Sequence, residues 1–129
     1  MQANKNLGTV CQATMQSFKW SEYYSAIMMV LCVGYLTHPE LVAFLRQAKA
    51  RLLTFEGRVT RHRPPESYIF VFENLRSDEY TQFEWKGQRV RSQKELEDIF
   101  DEAGLLTFKK VGPELMPDPY GQVMAWALY

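Results

Sequence analysis

At 129 residues the chain has the length of one domain, and 47% hydrophobic with 23% charged residues is the make-up of a chain that buries a core rather than of a disordered tail. Fifteen basic residues balance fifteen acidic ones, so no overall field draws it to nucleic acid or acidic lipid, and such binding would have to come from a local patch. The longest apolar run, Ala26 to Val33 and on to Leu36, falls well short of the ~20 residues of a membrane span. Residues 1–8 have neither the apolar core of a signal peptide nor an Arg-rich presequence pattern. A soluble intracellular protein is expected, its compartment open: cytoplasmic, or an organelle after presequence removal.

In chain order, Cys11 comes first, and with Cys32 it forms neither a C-x-x-C pair nor a cluster with histidine. Both read as buried thiols. Phe18, Trp20, Tyr23 and Tyr24 then precede a strand at Ala26–Val33. Thr37-His38-Pro39-Glu40 is a capping box with proline at the helix start, and Leu41, Phe44, Leu45, Ala48 and Leu52 recur at helical spacing behind it. His38 reads as a surface residue at that helix start. The connection Thr54–Ser67 holds Arg58, Arg61, His62 and Arg63 between Gly57 and Pro64-Pro65, a basic loop expected to face solvent, a partner or RNA phosphates. His62 has no companion ligands for a metal.

A second strand, Tyr68–Phe72, leads to a segment carrying Tyr80, Phe83 and Trp85, with Arg89 and Arg91 as further positive charge. Ser92-Gln93-Lys94-Glu95 is another capping box, followed by Leu96, Ile99, Phe100 and Ala103 and closed by Gly104. Asp101 and Glu102 oppose the helix dipole in its last turn. Strands at Leu106–Val111 and Val123–Tyr129 complete the chain. Three of the four strands are nearly continuous apolar runs, which predicts coverage on both faces, and strands alternating with helices predict a mostly parallel sheet in a single α/β domain, residues 1–129.

Met15-Gln16-Ser17-Phe18, the strand ending Val33-Gly34-Tyr35-Leu36-Thr37, the helix with Phe44-Leu45-Arg46-Gln47-Ala48-Lys49, Tyr68-Ile69-Phe70-Val71-Phe72-Glu73-Asn74, Asp101-Glu102-Ala103-Gly104-Leu105 and the closing Met116-Pro117-Asp118 and Met124-Ala125-Trp126-Ala127-Leu128-Tyr129 together resemble the α-N-terminal protein methyltransferases. The resemblance runs in register over nearly the whole chain. It implies a truncated Rossmann-like methyltransferase sheet, the equivalent of strands four to seven with flanking helices, without the cofactor-gripping first half. A glycine-rich turn after a strand and a following ribose-binding acid are what let such a fold hold S-adenosylmethionine, and Gly8 is the only glycine before Gly34, while Glu22 is the first acid.

The resemblance also aligns individual positions. Met15 and Gln16 stand where the family's backbone meets the adenine. Ser25 stands where it has an acid, and Val30 and Leu31 where it has a Gln-Trp pair contacting cofactor and substrate. Tyr35 replaces its histidine and Lys86, approximately, its aspartate, so the groups that would take a proton from an amine are gone, and a charged lysine repels an ammonium. Asn74 matches its substrate-binding asparagine.

Three readings stay open: a non-catalytic structural or interaction subunit of a larger assembly, binding no cofactor; the C-terminal half of an active S-adenosylmethionine-dependent N-terminal protein methyltransferase completed by another chain; and an RNA-contacting subunit of a ribonucleoprotein using Arg58, Arg61 and Arg63. Trp20 and Trp85 are expected at a protein contact. In the family, strand four is paired on both sides. The expectation is therefore that a protein partner, or the chain's own Leu7–Gln12 segment, covers the exposed Ala26–Val33 edge.

Overall fold

The computed structural model describes residue 8 and residues 11–53, 65–76, 84–85, 87–112 and 122–129, with the side chains of 84 and 85 outside that description. Strand β1 is Ala26–Val30, a short 3-10 turn follows at Val33–Tyr35, and helix α1 is His38–Ala50; β2 is Tyr68–Leu75, and β3 (Glu84–Trp85) and β4 (Gln88–Arg89) form a small hairpin. Helix α2 is Gln93–Glu102, β5 is Thr107–Val111 and β6 is Gln122–Leu128.

Both capping boxes form as the sequence predicts. Thr37 accepts from the Glu40 N–H while the Glu40 carboxylate accepts from the Thr37 N–H at 2.8 Å, and Ser92 and Glu95 repeat the exchange at the start of α2. Gly104, at φ 79°, ends α2 in the left-handed conformation that glycine takes without steric cost. The dipole conflict in its last turn is met from α1: Arg46 donates to the Glu102 carbonyl at 3.0 Å, Lys49 donates to the Gly104 carbonyl, and His38 Nε2 lies 2.6 Å from Glu102 Oε2. Cations at a helix C-terminus are the favourable arrangement, and here they also tie the two helices together. His38 is at the surface, as expected.

The main sheet has the order β1-β2-β6-β5. Only β1 and β2 run parallel, since β6 pairs antiparallel with both β2 and β5. The expectation of a mostly parallel sheet is corrected on this point: of the three strand pairings in this sheet, two are antiparallel, and only neighbours running the same way need a long crossover connection.

Coverage on both faces is corrected too. Met29, Ile69, Val71, Met124, Trp126 and Leu128 are buried in one core with Leu41, Leu45 and Ala48 of α1 and Leu96, Ile99 and Phe100 of α2. The alternate residues of the same strands are less covered, Met28 being 64% exposed, Val30 55% and Phe108 52%, with Phe70, Phe72, Ala125 and Ala127 half-buried. Both helices therefore pack on one face of the sheet. The apolar runs come from a strand whose second face is apolar without being shielded by a helix among the described residues.

The first strand also ends earlier than its hydrophobicity suggests. Leu31 adopts φ 53°, a conformation that L side chains resist, and the chain leaves the extended state there for the Val33–Tyr35 turn. Cys11 is exposed and Cys32 only half-buried, so the reading of two buried thiols is corrected: Cys11 lies outside any strand or helix, and Cys32 follows the end of β1.

Candidate functional site

Ligands of open α/β sheets gather outside the carboxyl ends of the parallel strands. At the ends of β1 and β2 the structure brings together Cys32, Tyr35, Glu73, Asn74, Gln88 and Arg91. The 3-10 turn is the centre of this cluster. Arg91, 4% exposed, donates to the Val33 carbonyl at 3.1 Å and to the Leu36 carbonyl at 2.6 Å, fixing both ends of the turn. Gly34 lies so close to the small hairpin that a Cβ would stand 2.9 Å from the Arg89 carbonyl oxygen. Tyr35 is 58% exposed, and Gln88 Nε2 donates to its hydroxyl at 2.8 Å.

Glu73 occupies an inward position of β2 on the helix-covered face. Its Oε1 accepts from the Asn74 N–H at 3.0 Å, whereas Oε2 is buried with no hydrogen-bond partner. Burial raises its pKa, against the pull of the Asn74 and Val33 amides and of the Arg91 charge. Burial, and then the nearby Glu73 charge, raise the Cys32 thiol, and burial works against the charge of Arg91. Ionising Glu73 is thus costlier in the folded chain than in the unfolded one. Its contribution is most favourable at low pH and is lost as pH rises above the ordinary 4.5 through the raised folded value. Glu73→Gln is accordingly expected to lose less stability than the parent between pH 4.5 and neutrality; urea denaturation across that range checks it, and parallel stability curves would show that the carboxyl is not disfavoured.

Of the residues singled out by resemblance, Tyr35 and Asn74 fall in this cluster. By alternation the Asn74 side chain lies on the open face, opposite to Glu73. Met15 and Gln16 are the middle of a turn closed by Thr14 and Ser17, whose hydroxyls bond each other at 2.8 Å; Met15 packs on the core and Gln16 is exposed. The turn accounts for them as local structure. Trp20, expected at a partner contact, instead packs on Phe44 of α1 with ring centroids 5.2 Å apart, and its indole donates to Gln47 at 3.1 Å. Arg91, expected to extend a positive patch, is buried on backbone carbonyls. Lys86, Arg58, Arg61, Arg63, the Leu7, Thr9 and Val10 part of the N-terminal segment and the side chain of Trp85 lie outside the described residues.

Chemically, the exposed part of the cluster offers a phenol and two amides, which can hold a polar group by hydrogen bonds. The one carboxyl, Glu73, is turned under the 3-10 turn and away from the open face. The sequence signal that could have found the clamp was an acid at an inward strand position together with a basic residue just before a capping box.

No family model and no curated protein matches the sequence. Solved structures do match the fold. A SAM-dependent methyltransferase from Leishmania major superposes with a TM-score of 0.71 at 24% identity, over 91% of this chain and 43% of that one. The glycopeptide N-methyltransferase MtfA, solved with S-adenosylmethionine, gives 0.64 at 8% identity over 92% and 58%. A methyltransferase from Clostridium acetobutylicum gives 0.62 at 9% identity over 92% and 63%. The chain therefore has a methyltransferase-like, Rossmann-type α/β fold, and it spans between 43% and 63% of the length of these structures. Among the described residues no helix is long and apolar enough to cross a membrane, and no cluster of three or more His, Cys, Asp or Glu could hold a metal.

Proposed function

We propose that this chain is a non-catalytic, methyltransferase-like interaction subunit, related to the α-N-terminal protein methyltransferases, that docks a protein along the outer edge of β1. The observation that carries this reading is the contrast between the two edges of the sheet. The β5 edge bears Lys109 and Lys110 and a register irregularity between Thr107 and Lys109, the devices by which proteins keep strand edges from pairing. The β1 edge, Ala26-Ile27-Met28-Met29-Val30, has no charge, no proline and no bulge, and its Met28 and Val30 side chains are more than half exposed. An edge kept so sticky is built to be covered.

The residues at the carboxyl ends of the strands support the non-catalytic part. Tyr35 and Asn74 can bind but cannot take up the proton of an ammonium nucleophile. Isothermal titration of the chain with S-adenosylmethionine is expected to give no saturable heat at micromolar ligand. Saturable binding at that level would overturn the reading.

The likeness to MtfA, solved with its cofactor, favours a second reading. In it another chain supplies the cofactor-binding part, and the pair is an active S-adenosylmethionine-dependent N-methyltransferase.

A further inference from the structure

From the geometry of the β1 edge we infer that its occupant is a second copy of this chain, the two β1 strands pairing antiparallel about a two-fold axis at Met28. The inference rests on the docking reading above and names the partner.

The main-chain groups of β1 can be sorted by direction. Leu31 N–H donates to the Phe72 carbonyl at 2.9 Å and Tyr68 N–H donates to the Ser25 carbonyl at 3.1 Å, so residues 25 and 31 face β2. Strand alternation puts 27 and 29 with them and turns the N–H and C=O of Ala26, Met28 and Val30 outward. Tyr24 also faces outward, and its groups are already used: Tyr24 N–H donates to the Arg51 carbonyl at 2.8 Å, and Leu53 N–H donates to the Tyr24 carbonyl at 2.9 Å, as Leu52 forms a parallel bridge beside it. Among the described residues the open stretch is thus a slot. It is closed at one end by residues 51–53, and at the other by Leu31, where the positive φ takes the chain out of the extended state.

An added strand must fit this slot. It can pair with Ala26, Met28 and Val30, but it must turn away before reaching the place held by Leu52. The β1 strand of a second copy does so. Run antiparallel, its Val30 falls opposite Ala26, Met28 opposite Met28 and Ala26 opposite Val30, so that the outward groups meet as hydrogen-bonded pairs, each exchanging two bonds. The next residue of the copy, Leu31, is the one that leaves the strand, clear of Leu52. The same holds with the two chains exchanged, which is the self-complementarity that a two-fold interface requires. The exposed Met28 and Val30 side chains then join across the axis on the open faces of the two sheets.

Sedimentation equilibrium of the chain, together with disulfide trapping, tests this. In a Cys11→Ser background, two copies of Met28→Cys are expected to become linked under mild oxidation, since opposed residues of a hydrogen-bonded antiparallel pair have Cα atoms about 5.5 Å apart, within disulfide range. Ala26→Cys and Val30→Cys are expected to link when mixed but not alone. Met28→Lys, which sets two ammonium groups opposite each other at an exposed position, is expected to weaken the dimer by at least about tenfold. A monomeric parent chain, or linkage of Ala26→Cys with itself, overturns the second copy as occupant. If the parent is monomeric but its Ala26, Met28 and Val30 amides are protected in the complex isolated from its source, the docking reading survives with a different partner. If those amides exchange rapidly there as well, both fall.

Discussion

Trp126→Ala is expected to lower the stability of the domain by about 4 kcal/mol, the range found for removing a large buried aromatic. Trp126 is 1% exposed at the centre of β6, with the Phe100 ring edge-on at 5.4 Å and its indole N–H donating to Glu97 Oε1 at 3.2 Å. Beyond the cavity, the substitution leaves Glu97 with Lys110 and Gln93 as its remaining partners. Because Trp126 joins the helix-covered face of the sheet to α2, the loss should appear as cooperative unfolding at lower urea rather than as local fraying. A Tm drop of roughly 15 °C is the thermal counterpart for a domain of this size. A change below about 1 kcal/mol would mean that β6 is not at the core.

Arg91→Ala is expected to cost about 3 kcal/mol. Its guanidinium satisfies two buried carbonyls, Val33 and Leu36, and bonds from a charged donor contribute about 1.5–3 kcal/mol each, with an orphaned acceptor adding its desolvation penalty. It also removes a positive charge that holds the Glu73 pKa down, so that pKa should rise further, and the deficit should grow from acid to neutral pH. Arg91→Lys keeps the charge but, lacking the planar fork, cannot reach both carbonyls, and should fall between the two. Denaturant titrations of the three proteins at two pH values check the order. An Arg91→Ala protein as stable as the parent would show that the 3-10 turn does not depend on this clamp.

Much of the fold was legible because its signals are local. The pairs Thr37 with Glu40 and Ser92 with Glu95 set the helix starts, and Gly104 set a helix end, through interactions within four residues. The strands were placed by hydrophobicity, but their environment was not, since Met28 and Met29 look alike in sequence while one is 64% and the other 3% exposed. Whether an apolar strand is shielded on its second face depends on what packs there. The left-handed Leu31 was equally hidden: leucine carries no turn signal, and nothing within its own neighbourhood in sequence announces a positive φ. At the site, two of the positions that the resemblance singled out, Tyr35 and Asn74, lie together at the strand ends. It gave no weight to Arg91, whose buried role follows from two carbonyls contributed by residues 55 to 58 positions away.

The Trp20 outcome has the same physical basis. An aromatic-rich segment reads as a sticky surface until a groove on α1 is known to receive it, and Phe44 and Gln47 supply that groove. Met28 and Val30 have no such receiver on β1 among the described residues, which is why the docking reading rests on this strand rather than on the tryptophan.

The most direct test of that reading is amide hydrogen exchange of β1 in the protein as isolated from its source. Ile27 and Met29, turned toward β2, serve as internal standards. Protection of Ala26, Met28 and Val30 comparable to these two is the predicted result; slow exchange at Ile27 and Met29 with rapid exchange at the other three, in a stable monomer, would contradict it.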